Sequence, residues 1–416
     1  MTVAPGLEEL RIDADRLLRR VDELAQIGPI DGGGVSRLAL TDDDRAGRDL
    51  VLTWMRDLGL DVTVDGVGNV VGTLAGSMPG APVMTGSHID TVRTGGRYDG
   101  NLGVLAGLEV VETLLTAGVV PHRPLAVAFF TDEEGARFAP DMLGSLVYVG
   151  GMTLEEALDT RGIDGTVLGE ELDRIGYRGV APCPATPPHA FVELHIEQGP
   201  LLEAEGVTIG AVTGVQGISW TEVMLRGQSN HAGTTPMHLR HDPGYGAGAT
   251  AAFVRHLALE LGGRQVGTVG RIDLHPNLVN VVAATATFTV DLRNTDAAAL
   301  AIAEQRLHDH LGALSTDEGL DCSTRSLARF DPVAFDPGVI DTVEATAQAL
   351  GHSVMRLPSG AGHDAQMLAR VCPTGMIFVP SRHGISHNPA EHTDAEDLAA
   401  GANVLLHTLL HLCEGP

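Results

Sequence analysis

The feature that most restricts the fold is an alternation of short apolar runs of strand length with segments whose apolar residues recur at helical intervals. Residues 125–130 (LAVAFF) are apolar throughout, which is typical of a strand in a sheet covered on both faces. The segments at 42–58 and 101–117 have helical periodicity, and the second ends at Gly118. Strands that alternate with helices in this way predict an α/β layer fold with a largely parallel sheet.

The pattern changes near residue 214, where a β-α-β-β-α-like succession begins. Its segments are 219–226, 244–262, 278–292 and 296–313. From about residue 330 the α/β pattern resumes. At 416 residues the chain is also longer than the roughly 250–300 residues that a single core supports. We therefore predict a discontinuous α/β domain, residues 1–213 and 328–416, interrupted by a compact α+β domain at 214–327.

Charge and residue usage exclude several classes of function. The formal net charge of −27 argues against nucleic acid or an anionic membrane surface as a partner, since both favour clustered basic residues. All 27 basic residues are arginine, so neither a Schiff-base lysine nor a phosphate-binding P-loop lysine is available. The four cysteines form no CxxC pair, which disfavours a disulfide framework and a cysteine-rich zinc site.

Targeting signals are not evident either. The N-terminal stretch is rich in charge and lacks the apolar core of a secretory signal. No apolar run approaches the ~20 residues needed to span a bilayer. We therefore expect a cytoplasmic protein.

Residues of the types that bind metals follow several of the strand-like runs, where open α/β sheets place their sites. These residues occur in the sequence segments GSHIDTV, GGRYDGNLGVLAGLEV, TDEEGARF, ELHIEQGP and GISHNPAE. Imidazoles combined with carboxylates suit Zn²⁺ or a similar divalent ion. A single histidine after a strand is more often structural, and a DEEG run is more often a solvated turn. The joint occurrence of these strings is what predicts a metal site.

These strings, together with NHAGTTPM and SGAGHDA, resemble the M20-type metallopeptidase superfamily. Within it they resemble the hydantoinase/carbamoylase branch, which contains N-carbamoyl-L-amino acid hydrolases, β-ureidopropionases and allantoate amidohydrolases. The match runs in order from about residue 80 to 395. The resemblance implies a zinc-peptidase-like catalytic domain with an inserted lid or dimerisation domain, and a homodimer.

The resemblance also implies two divalent metal ions per subunit, with Zn²⁺ expected first and Mn²⁺, Co²⁺ or Ni²⁺ as alternatives. His88 and His195 would hold one ion. Glu134 and His387 would hold the other, and Asp99 would bridge both. Two such ions can lower the pKa of a shared water towards neutrality.

Two further acidic residues have implied catalytic roles beside the metals. Asp90, two residues after His88, would orient a ligand imidazole. Glu133 would be the general base that takes a proton from water and passes it to the leaving nitrogen. His363 in SGAGHDA has two open interpretations, lining the pocket or holding the glycine-rich loop.

Substrate-binding residues are implied mainly in the inserted domain. His231 would stabilise the tetrahedral oxyanion, reaching across from the partner subunit in family members, and Arg293 would clamp a carboxylate through two parallel hydrogen bonds. Asn280, Gln216 and the backbone of Gly360 are further candidates. Asn280 could instead cap a turn, and Arg293 could form a strand-edge ion pair.

The function implied is hydrolysis of an N-carbamoyl-L-amino acid with release of ammonia and carbon dioxide. Allantoate and β-ureidopropionate remain alternatives, because they present the same carboxylate and ureido carbonyl. An aminoacylase or dipeptidase is a more remote alternative, disfavoured by His195 in the carbamoylase-type string. A non-catalytic protein on this fold would have a damaged ligand set, and a serine hydrolase would need a G-x-S-x-G motif, which does not occur.

Overall fold

The computed structural model describes residues 7–414 and divides into two compact units. Unit 1 extends up to Gly214 and resumes at Ala334, and unit 2 is Val215–Val333. Residues 1–6, the start of the segment considered for a secretory signal, lie outside the described range. Among the described residues, no helix is both long and apolar enough to cross a membrane.

The structure contains fifteen strands and twelve α-helices among the described residues, numbered in chain order. The strands are β1 (Asp61–Val64), β2 (Val70–Leu74), β3 (Val83–His88), β4 (Leu125–Phe130), β5 (Ala190–Ile196), β6 (Ile209–Val215), β7 (Gly217–Arg226), β8 (Asn230–His231), β9 (Val266–His275), β10 (Val281–Val282), β11 (Thr285–Asn294), β12 (Asp321–Phe330), β13 (Val333–Ala334), β14 (Val354–Ser359) and β15 (Thr374–Val379). The helices are α1 (Ala14–Leu24), α2 (Asp42–Asp57), α3 (Asn101–Thr116), α4 (Leu143–Tyr148), α5 (Leu154–Leu158), α6 (Leu168–Ile175), α7 (Leu201–Glu205), α8 (Pro243–Leu261), α9 (Ala297–Glu318), α10 (Pro337–Ala349), α11 (Asp364–Leu368) and α12 (Ala395–Glu414).

Unit 1 is built on a mixed sheet with the strand order β1-β2-β4-β3-β5-β15-β6-β13, with β14 beside β6. Its centre, β4-β3-β5-β15, is parallel, while β1, β2 and β6 pair in the antiparallel sense. All residues of the four central strands are buried, and α3 and α12 pack against them. The predicted α/β fold class is confirmed.

Local sequence explains where the helices of unit 1 begin. The hydroxyl of Thr41 accepts a hydrogen bond from the amide of Asp44, and three aspartates in the first turn of α2 complement the helix dipole. Helix α3 is apolar nearly all round and is almost completely buried. It begins after Gly100, whose φ of 66° favours glycine.

Unit 2 is an antiparallel four-stranded sheet, β12-β7-β11-β9, covered by α8 and α9. Alternate side chains of β11 enter the core, among them Phe288 and Leu292, as the period-2 pattern of a one-sided sheet requires. The short strands β8 and β10 pair with each other in a separate, two-stranded antiparallel sheet. Unit 2 extends to Val333, beyond the predicted end at 327, because β12 stays paired with β7 up to Phe330 after a register shift between Ser326 and Ala328.

Candidate active site

The topology of unit 1 gathers ligand-type side chains at one edge of the sheet. His88 is the last residue of β3, His195 lies near the end of β5, and Glu133 follows β4. Because these three strands are parallel neighbours, their carboxyl ends meet at the same edge.

Three imidazoles converge on the carboxylate of Asp99. Its Oδ1 lies 3.6 Å from Nε2 of His88 and 3.2 Å from Nε2 of His195. Its Oδ2 lies 3.4 Å from Nε2 of His387, and that nitrogen is 3.3 Å from Oε2 of Glu134. The two oxygens of one carboxylate therefore face two separate groups of side chains, an arrangement that a bridging ligand would require.

The imidazoles of the first group are oriented by backbone carbonyls. Nδ1 of His88 lies 2.9 Å from the carbonyl oxygen of Asp90, and Nδ1 of His195 lies 2.8 Å from that of Ile196. A carbonyl only accepts, so each Nδ1 carries a hydrogen, and each ring turns Nε2, the atom that a metal ion would bind, towards Asp99. We expected Asp90 to orient an imidazole, and it does so through its carbonyl rather than its carboxylate.

The carboxylate of Asp90 instead organises the turn that follows β4. Its two oxygens accept hydrogen bonds from the amides of Glu133 and Glu134, each at 3.3 Å. Burial raises the pKa of Asp90 to about 6. The preceding Asp132 has a φ of 57°, so this turn holds a strained backbone conformation. The backbone of the two adjacent glutamates is thereby held in place, with the carboxylate of Glu133 near His88 and that of Glu134 near His387.

Glu133 has the surroundings of a general base. Its Oε2 lies 3.4 Å from Nε2 of His88, and its side chain is buried. Burial raises its pKa well above the ordinary value, with further raising by the carboxylates of Asp364, Glu134 and Asp90. A buried carboxylate with a raised pKa beside a ligand cluster is a typical proton acceptor in catalysis.

The donor set around Asp99 fits divalent metal ions. Two groups, each with ligand atoms within 4.8 Å of one another, are His88 with Asp99 and His195, and Asp99 with Glu134 and His387. Burial opposes ionisation of Asp99, but hydrogen bonds from the three imidazoles hold the pKa of its carboxyl well below the ordinary range. Neutral imidazole nitrogens and ionised carboxylates are the ligands that zinc-type ions prefer.

Three residues that the sequence did not single out support Asp99. Nε2 of Gln198 donates to Oδ2 of Asp99 at 2.8 Å, and Oγ of Ser386 lies 3.1 Å from that oxygen. Glu391 accepts from the amide of Asp99 at 3.2 Å and lies 3.1 Å from Ser386 Oγ. A Cβ at Gly96 would stand 2.0 Å from Glu391, which explains this glycine. All three lie inside the sequence segments HIEQGP and GISHNPAE, and their place in these segments is the only sequence feature that could have pointed to them.

Buried polar side chains, among them Glu193 and His363, surround His195 on the side of the sheet and of α11. Glu193 accepts from the hydroxyl of Ser87 at 2.6 Å and, through its other oxygen, from a backbone amide at 2.8 Å. Nε2 of His363 lies 2.8 Å from Oγ of Ser359, and its ring stacks edge-on against His195 at 4.6 Å between centroids. Of the two interpretations of His363, these contacts favour holding the glycine-rich loop.

Two of the predicted substrate residues lie close together in unit 2. Strand β8 places His231 opposite Val281 of β10. The amide of Ala232 donates to the carbonyl of Asn280 at 2.9 Å. His231 and Asn280 are therefore carried by adjoining segments of one small substructure.

The other predicted substrate residues have different surroundings. Arg293 on β11 pairs with Asp291 at 2.9 Å and lies over the ring of Trp220 at 5.7 Å, so the strand ion pair is present. Gln216 is buried between β6 and β7. Gly360 lies in unit 1 directly after β14.

Comparison with known proteins identifies the family. Residues 84–411 match the Peptidase family M20/M25/M40. The chain belongs to this family. It is 44% identical to an N-carbamoyl-L-amino-acid amidohydrolase of Rhizobium meliloti over 99% of both chains. It is 36% identical to an allantoate amidohydrolase of Bacillus subtilis over 94% of this chain and 96% of the relative.

A solved structure resembles the whole chain. The crystal structure of an amidase of the hydantoinase/carbamoylase family from Burkholderia multivorans has a TM-score of 0.96 and 46% identity, covering 98% of this chain and 99% of that one. The predicted family and branch are thus confirmed, and so is the prediction of a hydrolase of C–N bonds.

Proposed function

We propose that this M20 family member is a dinuclear metal amidohydrolase that hydrolyses the ureido C–N bond of an N-carbamoyl-L-amino acid, with release of ammonia and carbon dioxide. The observation that carries the proposal is the arrangement of two ligand groups on the two oxygens of Asp99, next to the buried Glu133. The full-length likeness to a carbamoyl-amino-acid amidohydrolase supports the substrate class. Allantoate and β-ureidopropionate are the alternatives, the first supported by the relative from Bacillus subtilis.

In this proposal His88 and His195 would hold one divalent ion, Glu134 and His387 would hold the second, and Asp99 would serve both. When bound, such ions polarise a carbonyl and make a water molecule more acidic. Zn²⁺ is our first expectation, and Mn²⁺, Co²⁺ and Ni²⁺ are the alternatives, since the same ligand types accept all four.

Glu133 moves the proton. Its carboxylate takes a proton from the attacking water and delivers it to the leaving nitrogen as the C–N bond breaks. Its neighbour Glu134 lies near His387 instead, so the two adjacent glutamates divide ligation and proton transfer between them. Asp90 keeps both in place through their amides.

The substrate contacts are assigned to His231, Asn280, Arg293, Gln216 and the backbone of Gly360. His231 would donate to the carbonyl oxygen as negative charge develops. Arg293 would clamp the carboxylate of the substrate, with Asp291 holding its guanidinium in position beforehand. In this proposal the protein is a cytoplasmic homodimer in which the partner's His231 completes each site.

The decisive experiment measures ammonia release by protein loaded with Zn²⁺ or Mn²⁺. The panel contains N-carbamoyl-L-amino acids, β-ureidopropionate, allantoate and a dipeptide, and an EDTA-treated sample is the control. Metal-dependent turnover of one ureido acid supports the proposal and names the substrate. Cleavage of the dipeptide alone would move the protein to the peptidase side of the family.

A second experiment tests the shared site. The inactive variants His231→Ala and Glu133→Gln are mixed under conditions that exchange subunits. A heterodimer contains one site with both residues intact, so part of the activity should return. If no activity returns although exchange is demonstrated by mass spectrometry, the site is built within one chain.

A further inference from the structure

The loop that carries His231 fixes which ring nitrogen of this histidine holds the hydrogen. The backbone amide of Gly233 donates to Nδ1 of His231 at 3.0 Å. An amide can only donate, so Nδ1 is the acceptor, and the neutral ring carries its hydrogen on Nε2. The orientation is opposite to that of His88 and His195, whose Nδ1 atoms face carbonyls.

The backbone around His231 is held firmly enough to sustain this contact. The carbonyl of His231 accepts from the amide and the hydroxyl of Thr235, at 3.2 and 2.9 Å. The pairing of β8 with β10 and the amide of Ala232 fix the other side of the turn against Asn280. The turn also leaves little spare room, because a Cβ on Gly233 would stand 3.3 Å from Cε1 of His231.

Arg240 closes the turn from outside the strand pair. Its Nε donates to the carbonyl of Thr235 at 3.1 Å, and its Nη2 donates to the carbonyl of Ala232 at 2.5 Å. One rigid guanidinium thus bridges the carbonyls of Ala232 and Thr235, one before and one after Gly233 in the turn. Hydrogen bonds from a charged donor are stronger than neutral ones, and the planar fork of arginine fixes their direction.

We propose that Arg240 and the amide of Gly233 are positioning residues that hold His231 as the Nε2–H tautomer, ready to donate a hydrogen bond to the ureido carbonyl oxygen. This inference rests on the proposed function of His231. It gives the ring a single role, because a histidine in this tautomer presents a donor and no free lone pair to the substrate. Proton transfer is then left to Glu133.

The tautomer is measured without any turnover. The full-length protein is labelled with ¹⁵N-histidine, and long-range ¹H–¹⁵N spectra are recorded at mildly alkaline pH, with a His231→Gln sample to assign the signals of this ring. We expect a protonated Nε2 and an unprotonated Nδ1 for His231 in the wild type. The opposite tautomer, or an even mixture of the two, would overturn the proposal.

The role of Arg240 is tested by Arg240→Met, with Arg255→Met, an exposed arginine of α8, as the matched control. Losing two charge-assisted hydrogen bonds should mix the tautomers and lower kcat about 10-fold, with KM nearly unchanged because the lost contact acts in the transition state. Arg240→Lys should recover part of the rate, and Arg255→Met should match the wild type. A pure Nε2–H signal with full kcat in Arg240→Met would refute the clamp.

Two controls separate this inference from simpler outcomes. Metal content and melting temperature of Arg240→Met should equal those of the wild type, and a rate loss that follows a loss of metal or of folded protein would count against the proposal. If His231→Ala keeps full turnover, the proposed function of His231 fails, while the spectrum of the wild type still decides the tautomer.

Discussion

Replacement of Arg37 by methionine should weaken both the fold of unit 1 and its hold on metal. This arginine has no solvent exposure, and its guanidinium donates only to neutral oxygens. The acceptors are the carbonyls of Ile89 at 2.8 Å, Ile27 at 3.1 Å and Leu24 at 3.2 Å, and the side-chain oxygen of Asn101 at 2.7 Å. Methionine fills similar volume but donates to none of them.

Two of these acceptors lie beside proposed metal ligands. Ile89 lies between His88 and Asp90, and the side-chain amide of Asn101 holds the carbonyl of Asp99 at 3.1 Å. Arg37 therefore ties the end of β3 to the start of α3. Without it the imidazole of one ligand and the carboxylate of another lose their common anchor, so metal affinity should fall together with stability.

The magnitude follows from the four acceptors. Leaving each without a donor costs roughly 1–1.5 kcal/mol, about 5 kcal/mol in total. Part of this is offset because a buried guanidinium is itself costly, and burial lowers the pKa of Arg37 to about 10. We expect a net loss of about 3 kcal/mol, which for a unit of roughly 300 residues corresponds to a melting temperature lower by about 5 °C.

Calorimetric melting and metal analysis by mass spectrometry test this directly. Arg45→Met, an exposed arginine of α2 that lies 3.8 Å from Asp49, is the control and should leave both quantities unchanged. Arg37→Lys should lie between the two, because an ammonium group can reach some of the same oxygens. A melting temperature of Arg37→Met within about 1 °C of the wild type, with full metal content, would refute the reasoning.

The remaining predictions concern the proposed chemistry. Glu133→Gln should keep its metal, measured by mass spectrometry, and lose about 10²-fold or more of its turnover, and activity near the wild-type level would show that the base is another group. Arg293→Ala should raise KM mainly for substrates with a free carboxylate, and an equal effect on a carboxamide analogue would contradict the clamp. Hydrogen bonds to Asp99 and Glu134 raise the pKa of His387 to about 10, so the metal-free protein is protonated there near neutral pH. Metal uptake should release protons and weaken as the pH falls, and calorimetry in two buffers of different ionisation enthalpy should detect the release; uptake without protons would contradict this assignment.

Sequence patterns located the central elements of unit 1 because burial imposes them locally. The apolar run at 125–130 is β4, and the segment predicted as a helix at 101–117 is α3 with one residue fewer. Each element is buried along nearly its whole length, so its composition alone carries the signal.

Features that depend on distant contacts were not predicted from the sequence. The strands β9 and β12 were not among the segments predicted for unit 2, because most of their residues are exposed and they belong to the sheet through pairing with β11 and β7. The contact between Gln198 and Asp99 joins residues 99 positions apart and has no local pattern. The pairing of Arg293 with Asp291 is local by contrast, because strand alternation places both side chains on one face, and it matches the strand ion pair considered for Arg293 from the sequence.

The geometry of the proposed metal ligands is set largely by residues that would not themselves bind metal. Asp99 is approached from two sides: through its carbonyl by Asn101, which Arg37 holds, and through its amide and carboxylate by Glu391 and Ser386. These supports come from segments about 350 residues apart in sequence, at 37 and at 386–391. Because a ligand must be held close to its productive position for catalysis, changes in the supports should alter metal occupancy before they alter substrate affinity. Changes at Arg293 should alter substrate affinity before they alter metal occupancy, since that residue belongs to unit 2.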